Sequence, residues 1–171
     1  LLHYRKHILM KKITITLASD QGVAMGHCND LLAENPAIDL VGSLNDLTGH
    51  GAWLALARSE VLLIDESLIL RDGFEPLNML LSSYPEVHCL LILENPSHNK
   101  TMWAIMQGVR GVLTIEEIRP QLVKAISGIM AGEIWAPRHL MQPIRQDLRQ
   151  ADDGSYVYRH PQRVKEWVKW H

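Results

Sequence analysis

A chain of 171 residues with a net charge of −2, 47% hydrophobic and 21% charged residues, has the size and composition of one soluble globular domain plus a short appendage. That balance gives no global electrostatic reason to bind nucleic acid or an anionic membrane, and no run of residues approaches the length of a membrane span. Cys28 and Cys89 are too few for a disulfide framework and lack zinc-ligand spacing, so buried free thiols in a reducing, cytoplasmic setting are expected.

Met10-Lys11-Lys12 ahead of an apolar stretch faintly imitates a signal peptide. Thr14 and Thr16 interrupt that stretch and Asp20 follows without a small-residue cleavage site, which excludes the reading. Met10 is read as a natural start, with 1–9 as an upstream extension. Ile13–Ala18 then forms the first strand and leads to a helix over 22–34, where Ala24, Cys28, Leu31 and Leu32 recur at helical spacing until Asn35-Pro36 stops it. A second strand over 38–43 precedes a helix that Asp46 is placed to cap and that runs to about Arg58. Val61–Asp65 is the third strand, and the helix over Glu75–Ser83 ends before Pro85. His88–Leu93 is the fourth strand, followed by a helix over 99–107 that Gly108 closes. Gly111–Thr114 and a helix over 120–131 complete five strand–helix units, with Pro120 suited to a first helical turn.

Strands alternating with helices of this length imply a parallel sheet covered on both faces, and the apolar, β-branched strands agree. The expected fold is α/β: a five-stranded parallel sheet with helices on both faces, a three-layer flavodoxin-like sandwich. In such a sheet the C-terminal strand ends share one edge, where ligands bind. Asp20 and Asp65 both stand there. They could together hold a hard divalent cation, with Asp65 as a nucleophile toward phosphate. Capping of the helices that follow would equally explain both acids.

Three stretches in order resemble the receiver domain of bacterial two-component response regulators, in the LuxR/NarL-type subfamily, with its CheY-like fold. They are Val61-Leu62-Leu63-Ile64-Asp65-Glu66-Ser67 continuing to Asp72-Gly73, then Gly108-Val109-Arg110-Gly111-Val112, then Ala131-Gly132-Glu133-Ile134-Trp135-Ala136-Pro137. The resemblance spans about 12–137. It implies Asp65 as phosphoacceptor and a magnesium site at Asp20, Asp65 and the carbonyl of Ser67. The ion would offset repulsion between the carboxylate and an anionic phosphoryl donor.

Four positions depart from the family's pattern. Ser19 replaces a usual second acid, Glu94 a hydroxyl donor at the end of strand four, Ile115 a phosphate-pairing lysine, and Val112 an aromatic switch residue. Two like charges about 4 Å apart at an effective dielectric of about 20 repel by about 4 kcal/mol. An ionised Glu94 beside a phosphorylated Asp65 therefore opposes the product. The pattern is that of a degenerate pseudo-receiver with a weak magnesium site and no other cofactor.

Trp103 and Met106 lie three apart, off the face carrying Ala104, Ile105 and Gly108, and are the expected interface residues, suited to a homodimer or to covering local apolar surface. The histidines show no ligand spacing. The chain divides into a receiver-like domain over 10–136 and a helical extension or linker remnant over 137–171. Within the latter, Arg159, Arg163, Lys165 and Lys169 interleave with Trp167 and Trp170, without a helix-turn-helix pattern. DNA binding is expected only through an output module outside this sequence, and a docking or dimerising role fits the tail. The expected function is non-enzymatic: an atypical receiver in signal transduction and transcription regulation, acting by protein–protein contacts or dimerisation with weak or no phosphorylation. The alternatives are a working receiver phosphorylated on Asp65 by a histidine kinase, and a flavodoxin-like ligand-binding module or enzyme. The second alternative suffers because Ser19-Asp20-Gln21-Gly22 is too poor in glycine for a phosphate loop.

Overall fold

Strand periodicity builds the centre of the molecule. The computed structural model describes residues 11–20 and 22–152; the readings placed on 1–10 and on the tail over 153–171 lie outside them. The strands β1 (Ile13–Ala18), β2 (Ile38–Leu44), β3 (Val61–Asp65), β4 (His88–Leu93) and β5 (Gly111–Thr114) form one sheet in the order β2-β1-β3-β4-β5. Every pairing is parallel. This is the flavodoxin-like order, with the chain reversing direction across the sheet between β1 and β3.

Alternate side chains of each strand enter opposite layers. Leu62, Ile64, Cys89, Leu91, Leu93 and Val112 join one buried cluster, while Val61, Leu63, Leu90, Ile92 and Leu113 join the other. The second layer is closed by α1 (Val23–Ala33) and α6 (Ile118–Met130), through residues such as Cys28, Leu32, Leu122 and Ile126. The first is closed by α2 (His50–Ala57), α3 (Glu66–Asp72), α4 (Glu75–Ser83) and α5 (His98–Met106).

Two glycines explain the turn into β5. Gly108 follows α5 at φ 105°, a left-handed conformation that costs a side chain dearly but not glycine. At Gly111 an added Cβ would lie 2.5 Å from a Leu90 methyl and 3.2 Å from the Trp135 Cβ. The close approach lets the exit from α6 run along β5: Val112 N–H donates to the Trp135 carbonyl at 2.9 Å, and Trp135 N–H to the Arg110 carbonyl at 3.0 Å. The exposed edge of β5 is thereby partly paired.

Two local expectations change. Asp46 does not cap α2, whose N-cap is Gly49; its carboxylate instead accepts from the Thr48 N–H and hydroxyl at 2.9 and 2.7 Å, a local turn one step earlier. The helix α3, directly after β3, was not anticipated from the sequence pattern. A further helix, α7 (Met141–Asp152), follows the β5 edge. Leu140 and Ile144 bury themselves against Met102 and Ile105 of α5, so α5 is covered by the sheet on one side and by α7 on the other.

Trp103 is consequently no surface residue. It is 8% exposed and meets Phe74 edge-on at 4.0 Å between ring centroids. Met106, 42% exposed, stays at the surface.

Candidate functional site

The C-terminal ends of β1, β3 and β4 border a crevice of about 640 Å³, lined among others by Asp20, Asp65, Glu66, Ser67, Arg71 and Glu94. Strand register puts Asp65 level with Ile92, two residues before Glu94. Asp65 is half-buried at the junction of β3 and α3. One carboxylate oxygen, Oδ1, accepts the Ser67 N–H at 3.0 Å and so caps α3. The other, Oδ2, accepts the Ser19 hydroxyl at 3.1 Å. Ser19, standing where the resembled family usually has a second acid, is thus a donor that holds Asp65 in place.

Asp20 does not cap α1, whose N-cap is Gly22. Its backbone N–H donates to the Ser67 hydroxyl at 3.1 Å, while its carboxylate turns to Arg71, with Nη1 to Oδ1 at 2.6 Å. Arg71 lies in the last turn of α3, where a cation also suits the helix dipole. Its Nε and Nη2 grip Asp72 at 3.1 and 2.8 Å, and Nη2 also donates to the Asn45 carbonyl at 3.0 Å. The guanidinium is held more firmly protonated than usual, first by the Asp72 hydrogen bonds and then by the Asp20 charge.

Behind the crevice lies an ion pair that no sequence motif announced. Glu66 and Lys100 are 6% and 4% exposed. Lys100 Nζ donates to Glu66 Oε1 at 3.2 Å, and Oε2 accepts the Glu94 N–H at 3.0 Å. The residue after Asp65 therefore ties α3 to the end of β4 and to α5. The Ser97 hydroxyl caps α5 by accepting the Lys100 N–H at 3.2 Å.

The four divergent positions separate by burial. Glu94 points to solvent and Ile115 is 38% exposed at the crevice rim, whereas Val112 is fully buried in the core. Solvent around Glu94 screens its repulsion with Asp65 below the figure expected for a low-dielectric pair. On the β1 side, Cys28 is buried, and its thiol is pushed up to about 12 by burial first and by the Asp65 charge second.

Magnesium requires nearly octahedral oxygen coordination at about 2.0–2.1 Å. The residues proposed to hold it do not present that arrangement: Asp20 Oδ1 is engaged by a guanidinium, and both Asp65 oxygens accept hydrogen bonds. Among the described residues no group of three or more His, Cys, Asp or Glu is placed to hold a metal ion. Nor is any of their helices long and apolar enough to cross a membrane.

No protein-family model matches the chain. The chain is 28% identical over 139 residues to the DNA-binding transcriptional activator DevR/DosR of Mycobacterium tuberculosis, covering 81% of this chain and 64% of that protein. It superposes with a TM-score of 0.68 on a LuxR-family two-component response regulator from Aurantimonas sp. SI85-9A1, at 18% identity over 81% of this chain and 99% of that one. The non-phosphorylated receiver domain of the stress response regulator RcsB from Escherichia coli matches at TM-score 0.64 and 16% identity, over 75% of this chain and all of the other.

The chain has the fold of response-regulator receiver domains and is similar in sequence to DevR/DosR. The chain spans about 64% of the length of the curated relative it matches. Against the receiver frame, sequence reasoning located the strand-end acids Asp20 and Asp65. It missed Arg71 and the Glu66–Lys100 pair. The signal for Arg71 was weak but present: a basic residue beside Asp72-Gly73, where Gly73 at φ 77° ends α3.

Proposed function

We propose that this receiver is an atypical one, working through protein–protein contacts in signal transduction and transcription regulation, with Asp65 a poor phosphoacceptor or none. The observation that carries the reading is the employment of Asp65 as the cap of α3, with its second oxygen accepting from Ser19. Loss of a helix cap costs about 1 kcal/mol. A phosphoryl group on Asp65 would also add negative charge to a crevice already lined by Asp20, Glu66 and Glu94. Arg71 and Lys100 are committed to acids, and Ile115 supplies no compensating cation. The buried Val112 offers no aromatic ring to change rotamer.

Homodimerisation in the cytoplasm is part of this reading. RcsB, a structural neighbour, forms dimers that bind DNA, and here DNA contact would pass through an output module rather than this domain. Met106 is the exposed apolar group of the proposed interface helix. Met106→Glu is expected to shift sedimentation toward monomer; unchanged association would move the interface elsewhere.

A working switch is favoured by one observation: Asp65 sits at the strand end of an open crevice with Asp20 beside it. The RcsB receiver has been solved in the presence of the phosphomimetic BeF3-. Intact mass after incubation with acetyl phosphate and magnesium separates the readings. The expected result is no stoichiometric adduct. A stoichiometric adduct, absent from Asp65→Asn, would establish the switch instead.

A further inference from the structure

A hard cation at the edge of β1 and β3 would have to draw on Asp20, yet the Asp20 carboxylate is met by Nη1 of Arg71 at 2.6 Å. The guanidinium is not a passing surface charge. All three of its nitrogens donate: Nε to both oxygens of Asp72, Nη1 to Asp20, and Nη2 to Asp72 and to the carbonyl of Asn45, which follows β2. Asp46 Oδ1 stands 4.0 Å from Nη2. One side chain thus gathers the loops after β1 and β2 and the end of α3, the work that a divalent cation does by collecting oxygens from separate segments. A planar guanidinium with five N–H donors suits several separated carboxylate and carbonyl acceptors, and it carries its charge at every accessible pH.

We infer that Arg71 is a built-in cation that takes the place of a divalent metal at the acid edge, so that this domain holds the edge in one arrangement without metal. The inference deepens the atypical-receiver reading and rests on it. With Arg71 in place, a metal must displace a hydrogen-bonded positive charge before it reaches Asp20. With Arg71 removed, Asp20, Asp72 and Asp46 are left mutually repelling and gain from any divalent ion that enters.

The test is thermal melting of the full chain across a magnesium chloride titration, with matched sodium chloride as ionic-strength control. It uses the wild type, Arg71→Gln, Asp20→Asn and the Arg71→Gln/Asp20→Asn double variant. Magnesium is expected to leave the wild-type midpoint where the sodium control leaves it. It is expected to raise the midpoint of Arg71→Gln, with an apparent affinity at least about tenfold tighter than in the wild type, and to lose that effect in the double variant. A wild-type midpoint that rises specifically with magnesium, and no longer does so in Asp20→Asn, overturns the inference without needing any Arg71 variant. So does a folded Arg71→Gln chain whose midpoint magnesium fails to raise. A magnesium-responsive wild type that takes no phosphoryl adduct would remove the role of Arg71 and leave the atypical reading standing, whereas an adduct on Asp65 would remove that reading itself.

Discussion

Lys100 and Glu66 meet with side chains only 5% and 8% exposed, whereas Arg71 and Asp20 meet with 38% and 34% exposed. Both pairs flank Asp65, one behind β3 in the protein interior and one in front of it at the crevice. Their geometry is similar, at 3.2 and 2.6 Å, but their consequences differ. A buried pair has already lost its hydration, so removing one partner strands a charge. An exposed pair exchanges freely with water and salt, and its worth lies in where it holds the loops rather than in stability. The interior pair makes the fold around Asp65 stiff; the exterior network decides which cation that edge can accept.

Breaking the interior pair gives the largest effect. Lys100→Ala leaves Glu66 buried without its cation and is expected to cost about 3–5 kcal/mol, read from denaturant midpoints. A Glu66→Met/Lys100→Met double variant removes both charges and is expected to be more stable than the Lys100→Ala single. If the double is the worse of the two, pairing rather than avoidance of a stranded charge explains the interior site.

The buried Cys28 thiol sharpens the same contrast through pH. Its ordinary value of 9.0 is raised to about 12 in the folded chain, so the folded state favours the protonated form. That contribution is complete below pH 9 and is lost as pH rises toward 12, because the unfolded thiol ionises first. Stability is expected to fall across that window, with a smaller fall in Cys28→Ala. An equal slope in both would assign the fall to other groups. Ser97→Ala, which removes the cap that begins α5 beside Lys100, is expected to cost about 1 kcal/mol. Smallest is the stability change in Arg71→Gln, which is expected to shrink further as sodium chloride screens the network.

The strands were legible because each is a short apolar run whose alternate residues enter opposite layers, as Leu62 and Ile64 do against Val61 and Leu63. Gly108 and Gly111 were legible as a motif, and the structure supplies the reason in a positive φ and a close contact. The helix α3 was hidden because it starts at Glu66 with no turn residue between it and β3, and at seven residues it is too short for a full periodic pattern. Helical spacing puts Trp103 on an exposed face only for a helix that buries a single stripe. With the sheet beneath and α7 above, α5 buries Met102, Trp103, Ala104 and Ile105 in succession, and periodicity no longer tells inside from outside. The Arg71–Asp20 and Glu66–Lys100 partners lie 51 and 34 residues apart in the chain, so only the fold brings them together. Identifying strand-end acids needs topology alone; knowing whom they pair with needs coordinates.

The most direct measurement is an amide NMR titration of the full chain with beryllium fluoride and magnesium, following the N–H groups of Ser67 and Glu94 that donate to Asp65 and Glu66. The expected result is no saturable shift at either signal. Saturable shifts at Ser67 and Glu94 that vanish in Asp65→Asn would show the carboxylate free to take a phosphoryl group and would contradict the atypical-receiver account.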